Sequence, residues 1–329
     1  MKKAENLSTR QHRIRVLGGL PMLIIGIVIV AVLAVLGLTD GSGNTQRILI
    51  KMCLYCTMAC MWNLLSGFTG MTSLGQQSFI GVAGYSMAIM TATYGMSYVV
   101  GWIVGGAIGA VLALILSLIL FRMRGMYFAI ATWVIAEALK TWFNSWEFVN
   151  MGGGMFVRGR PDQTIIFVLS LVLCVVAIVL IYFLLNSKLG LGLTAMRDDA
   201  DAASSVGVNI FRSKLICFVI AGLFCALAGG MYYLNNVSVY PTNAFGISWT
   251  VSLVFIVIIG GVGTMAGPIV GTVVYIALDE VLANFPGWSN IILGLIAILV
   301  ILFLPDGILG TLQKKLHFEI LSQRRFSKE

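Results

Sequence analysis

The sequence predicts an all-α, polytopic membrane protein of about ten transmembrane helices, some of them broken. Three observations carry that expectation. The 329 residues are 59% hydrophobic and only 10% charged, against about 25% charged in soluble domains, and the mean hydropathy is +0.97. The apolar residues gather into runs of roughly 20, the length that spans a hydrocarbon core. Lysine and arginine collect in alternate loops, as the positive-inside rule requires. A soluble chain of this size has too little interior for so much apolar surface, so the surplus faces lipid.

In chain order the apolar runs are 16–38, 46–66, a Gly-interrupted segment 67–94, 97–121, 126–147, 164–186, 213–234, 246–262, 266–284 and 288–304. The first follows Lys2, Lys3, Arg10, Arg13 and Arg15. It exceeds the apolar core of a signal peptide (about 7–15 residues) and no A-x-A site closes it, so it reads as an uncleaved span. With the N-terminus inside, ten spans return the C-terminus inside. Cytoplasmic loops then hold Arg122, Arg124, Lys188, Arg197, Arg212 and Lys214. Arg47, Lys51, Arg158 and Arg160 are the exceptions on the outer side. The expected organisation is a basic cytoplasmic tail 1–15, a permease domain 16–304 with a cytoplasmic loop 187–213, and a basic cytoplasmic tail 305–329. No interior polar stretch is long enough to fold alone.

Two segments break the apolar pattern, one in each half of the chain: 66–81 and 260–271. Gly-interrupted spans in corresponding halves point to a transport pathway and to an internal repeat, because irregular backbone at membrane depth must be buried in protein or line a wet cavity. The first segment offers Gly67, Gly70, Ser73, Gly75, Gln76, Gln77 and Ser78. These bond a small polar solute without a fixed charge that would trap it. The other reading of the same residues is tight helix packing. Gly260, Gly261, Gly263, Gly267 and Pro268 read as a close-packed turn. The stretch 261–266 fits a loose dinucleotide fingerprint, but it joins two apolar spans instead of a strand and a helix.

Other motifs are weaker. Gly101, Gly105 and Gly109 form a GxxxG repeat for close helix contact. Glu137 and Lys140 lie in one span, where an ionisable residue is a functional candidate; at i, i+3 they can also pair with each other, and both readings stand. The six cysteines all lie inside apolar runs and read as small buried hydrophobes. No metal site is expected, and His12 and His317 sit in the tails. The net charge of +8 follows span flanks, so nucleic acid is not an expected partner. No Gly-Lys dipeptide occurs, hence no Walker A loop. No catalytic set appears either, so the chain is expected to be no enzyme.

The loop 187–213 is the most informative polar stretch. Residues 194–207 read as one short cytoplasmic helix stopped by Gly207. Met196, Ala200, Ala203 and Val206 share one face; Arg197, Asp198, Asp201, Ser204 and Ser205 share the other. Asp199 falls among the small residues, which suits docking to a partner. The alternative is a solvated surface helix.

The segment from Asn63 to Gly67 and on to Tyr85, the loop from Arg197 to Lys214, the stretch 260–271 and Pro305-Asp306-Gly307-Ile308-Leu309-Gly310 together resemble the LivM-type permease subunits of bacterial branched-chain amino acid ABC importers. The resemblance covers nearly all of the chain after residue 45. It implies a bacterial inner-membrane subunit that forms a translocation path for branched-chain or other small amino acids. The partners it implies are a homologous permease, two ATP-binding subunits carrying ATP and Mg, an extracytoplasmic solute-binding protein and membrane lipid. It also implies that 197–207 is the coupling helix, with Arg197, Asp198, Asp199, Ala203 and Gly207 at the ATPase; Glu137, as an ionisable residue within a span, is counted with the candidate pathway residues. The chain itself binds no cofactor on this reading. Related permeases serve urea, short amides and other small solutes. Such permeases often carry His or Gln and then Ala where Gln76 and Gln77 stand, and an acid where Ala200 stands. A self-sufficient secondary transporter is the competing class, for which the broken spans are equally good evidence.

Overall fold

The structure is a computed structural model that describes residues 37, 43–283, 289–303 and 307–316. The expected first span 16–38, Gly37 apart, lies outside these residues, as do the tail 1–15 and residues 317–329. Among the described residues the elements are helices, with one pair of two-residue strands.

Helix α1 (Asn44–Asn63) runs on as a π-helical turn, Leu64–Phe68; α2 (Gln76–Ala88) runs on as another, Ile89–Thr93. Then come α3 (Tyr98–Leu120), α4 (Met126–Ser145), β1 (Met155–Phe156), α5 (Gln163–Asn186), α6 (Lys188–Asp198), α7 (Ala200–Ser205) and α8 (Ile210–Asn236). The chain continues through β2 (Ser238–Val239), α9 (Pro241–Ala244), α10 (Ser248–Gly260), α11 (Gly267–Leu282), α12 (Ser289–Phe303) and α13 (Gly307–Leu316). Among the described residues five stretches are long and apolar enough to cross a membrane by themselves: Asn44–Phe68, Tyr98–Leu120, Gln163–Asn186, Ile210–Asn236 and Pro241–Gly260.

Loop contacts sort the helix ends onto two sides. On the first side Arg124 meets Asp201 at 3.6 Å, Arg197 reaches Gly67, Asn63 reaches Thr264, and Gly307 abuts Gly261. On the second side β1 pairs with β2, Gln163 bonds Gly43 O at 2.9 Å, and Arg158 N–H bonds Thr91 Oγ1 at 3.2 Å. Lys51 pairs with Asp279 there as well. Helices α1, α2, α3, α4, α5, α8, α9–α10, α11 and α12 therefore run alternately, nine passes among the described residues.

The core is α1. Of its span 83% is buried, against 33% for α3 and 39% for α5. The sequence explains the difference. Helix α1 carries Gln46, Thr57 and Asn63, which lipid would not solvate. The outward faces of α3 and α5 carry Ile103, Val111, Leu118, Val172, Val176 and Phe183, which lipid does. The glycines of α3 bring helices close: a Cβ on Gly105 would stand 3.2 Å from Ala83 O on α2, and one on Gly222 of α8 would stand 2.8 Å from Ala113 Cβ. This is the small-residue packing expected of GxxxG. Cys53 and Cys56 face Cys174 of α5. All six cysteines are buried and free.

Candidate functional site: two broken segments and the loop that reaches them

The two Gly-rich segments meet at the first side of the molecule. Asn63, the last residue of α1, bridges them: its amide Nδ2 donates to Thr264 O at 2.8 Å and its Oδ1 accepts from Gly263 N at 2.9 Å. Gly67 passes so close that a Cβ there would stand 2.6 Å from Gly263 N. Gly263 itself has φ +73°, a backbone conformation that side chains penalise. Gly260 packs on Gly267, and Thr264 staples the turn by accepting from Gly267 N at 3.1 Å and donating to Gly261 O at 2.8 Å. Pro268 opens α11, where its missing N–H costs nothing.

The loop 187–213 plugs into this junction. Residues 194–207 do not form one helix: the chain breaks at Asp199 (φ −153°, ψ 110°) into α6 and α7. The reason is local. The Asp199 carboxylate caps α7 by accepting from Asp201 N at 2.9 Å and Ala202 N at 3.0 Å, and an aspartate that caps cannot also lie mid-helix. The expected shared face is therefore corrected. Met196 and Ala203 are buried in the chain, whereas Val206 is 80% exposed. Gly207, at φ +90°, follows the end of α7. Asp198 is exposed and pairs with Arg197 Nε at 3.2 Å. Arg197 Nη1 turns inward instead and donates to Gly67 O at 3.0 Å, with Gly70 against its backbone.

After Phe68 the backbone stays non-helical until α2 begins at Gln76. Three contacts hold this crossing. Trp62 Nε1 donates to Ser73 O at 2.8 Å, Leu74 N donates to Thr132 Oγ1 of α4 at 3.0 Å, and the Gln77 amide ties Leu74 O to the Thr250 hydroxyl of α10. Gly75 packs against the Thr132 backbone, and Ser73 Oγ accepts from Gly75 N at 3.3 Å. Gln77 is thus a bonded strut. Its neighbours are not: Gln76 is fully buried with both amide atoms unbonded, and the buried Ser78 hydroxyl is unbonded too.

Glu137 lies apart from this cluster, on the outward face of α4. Its carboxylate meets Lys140 Nζ at 2.6 Å. Trp133, Thr141, Asn144 and Ser145 are exposed alongside it, while α4 buries Phe128, Ala129, Thr132, Ala136 and Phe143. At the second-side end of this stripe, Trp142, Ser145, Trp146, Glu147 and Phe148 line an open basin of about 640 Å³.

Sequence reasoning missed a third cluster. Lys51 pairs with Asp279 and, at 3.4 Å, with Glu280; Arg47 meets Glu280 at 3.5 Å. Beside it Tyr55 stacks on Tyr275 with centroids 5.7 Å apart, and the Tyr275 hydroxyl lies 2.7 Å from Ser252 Oγ. The signal was available: unexplained cations at the start of 46–66 need counter-charges, and the end of 266–284 supplies two. Among the described residues the second side holds Arg47, Lys51, Arg158 and Arg160 against Glu147, Asp162, Asp279 and Glu280, which balance, while the first keeps a basic excess.

Comparison with known proteins agrees with this architecture. The chain is 24% identical over 300 residues to the high-affinity branched-chain amino acid transport system permease protein LivM of Escherichia coli, covering 82% of this chain and 70% of that one. The corresponding protein of Salmonella typhimurium is 24% identical over 78% of this chain and 68% of its own. The fructose import permease protein FrcC of Rhizobium meliloti is 27% identical over 41% of this chain and 40% of its own. No solved structure matches. The family described as branched-chain amino acid transport system / permease component matches residues 44–304, most of the 329 residues, so this multi-pass membrane chain belongs to that family of permease components.

Proposed function

We propose that the chain is the permease subunit of an ABC importer in the bacterial inner membrane. With a homologous permease it forms the path for branched-chain or other small amino acids. Two ATP-binding subunits, holding ATP and Mg, drive it from the first side, which is cytoplasmic on this reading along with both termini. An extracytoplasmic binding protein feeds the second side. The permease domain is 16–304, and α6–α7 form its coupling element.

The observation that carries this reading is the inward turn of Arg197. Helices α6 and α7 are too polar to enter lipid and too short to be a domain. They present Asp198, Asp201 and Val206 outward while Arg197 grips the backbone where both broken spans meet. An ATPase acts on a permease only through a contact that differs between its states, and a push on α6–α7 reaches Gly67 through one side chain. The outward stripe of α4 supports the second permease. Glu137, Lys140, Thr141, Asn144 and Ser145 in lipid would be costly, so that face lies against protein or the water of the path.

The test is uptake in proteoliposomes. The purified chain alone should neither hydrolyse ATP nor transport, and activity should require the ATPases and second permease. Arg197→Gln should leave the ATPases bound and reduce transport per ATP hydrolysed by at least tenfold. ATP-independent uptake by the chain alone would mark it as a secondary transporter.

A further inference from the structure

The start of α2 is a helix N-terminus at which buried polar groups find no partner. Helix α2 has 13 residues and no side chain caps it. The N–H of Ser78 turns back onto Gly75 O at 3.0 Å. The N–H groups of Gln76 and Gln77 belong to the first turn, which has no intrahelical acceptors. The side chains of Gln76 and Ser78, the first and third residues of the helix, are both fully buried and unbonded. A buried polar group left unpaired costs about 1–3 kcal/mol, so these orphans call for a partner that the chain itself does not supply. The other polar groups nearby, Ser73, Gln77, Thr132 and Thr250, already bond one another or the backbone.

We propose that the start of α2 is a carboxylate-binding station for the transported solute. The solute's carboxylate accepts from the Gln76 amide and the free first-turn N–H groups. This rests on the transport reading above and adds the place in the chain that holds the solute's carboxylate.

The chemistry favours an anion over a neutral solute. A helix N-terminus carries roughly half a positive charge, and it binds carboxylates and phosphates through its N–H groups. Broken helices in transporters use the same arrangement for anionic groups. The half charge suits a passing solute, because a full cation here would hold a carboxylate too firmly to release it. Gln76 and Ser78 are neutral, and the amide can donate to a carboxylate. A sugar or urea could bond the same side chains but would gain little from the helix end. The site is closed in this conformation. Its wall is α4, which joins the crossing by the Leu74–Thr132 bond and carries the polar stripe on its opposite face. A shift of α4 away from the Leu74 crossing opens the station.

The experiment uses the assembled importer, with ATPases and second permease, in lipid nanodiscs. Binding of tritiated L-leucine, L-alanine and 4-methylpentanoate is measured and set against leucinamide, which lacks the carboxylate, and fructose. The wild-type complex should bind the carboxylates at least tenfold more tightly than leucinamide or fructose. Gln76→Glu, equal in size but negatively charged, should weaken carboxylate binding at least tenfold in a complex that co-purifies normally; Gln76→Asn should retain part of it. Equal binding of leucinamide and leucine overturns the proposal, and this arm needs no variant. So does unchanged carboxylate binding in Gln76→Glu, which would leave the orphans to water alone. ATP-driven import of a neutral solute with no carboxylate preference overturns the station but keeps the importer. ATP-independent uptake by the chain alone removes the importer, while the competition series still judges the station.

Discussion

The same broken span holds two polar regions that obey opposite rules. At the junction of Asn63, Gly67, Gly263 and Arg197, the buried donors and acceptors of Asn63 and of the turn meet partners at 2.8–3.1 Å. Nine residues on from Gly67, Gln76 and Ser78 are buried with none. Both regions are glycine-rich and both looked alike as sequence. The difference separates a break that is architecture from one that is a station: the bonds of the first are complete, and those of the second stay open for the solute.

The sharpest way to break the contrast is Gly67→Val. Its Cβ would stand 2.6 Å from the Gly263 backbone, and backbone has no rotamer to yield. Overpacking of this kind costs typically 1–3 kcal/mol and more when backbone must move. The expected outcome is loss of the folded permease, read as absence of a monodisperse peak and of ATPase co-purification. A normal peak would mean that the junction is loose. Next in size is Asn63→Leu. It strands Gly263 N–H and Thr264 O, at about 1–3 kcal/mol each, so thermal denaturation in detergent should shift down by several degrees. The smallest effect has the opposite sign. Gln76→Leu removes an orphaned amide, so the permease should melt at the same temperature or slightly higher while transport falls. A melting loss as large as that of Asn63→Leu would return Gln76 to the architectural class.

The sequence made the membrane class, the helix runs and the two broken segments legible, because each depends on composition and spacing alone. It also pointed at Gln76, since polar residues at membrane depth stand out. The fate of each polar residue was not legible. Gln76 and Gln77 are adjacent and identical, yet one is a strut and the other an orphan, and only the placement of Thr250 and Leu74 decides which. The helix break at Asp199 was not legible, because helical periodicity carries through a residue that prefers to cap. Arg197 was placed on the outer face for the same reason. The ion cluster at Lys51 went unseen because its partners lie 228 and 229 positions away. Glu137 paired locally with Lys140, one of the two readings its spacing allowed, but its use in transport depends on a partner face that no single chain contains.

That distance of 228 positions has a consequence for biogenesis. The ribosome adds about 5–20 residues per second, so Asp279 follows Lys51 by roughly 10–50 s. Through that interval Arg47 and Lys51 sit at the head of α1 without the counter-charges of α11, in a helix that the finished protein largely shields from lipid. The nascent chain must therefore keep α1 away from hydrocarbon until α11 arrives to neutralise it. The early spans behave as an incomplete bundle waiting for a late helix, and the ion cluster is the latch that closes when synthesis is nearly done.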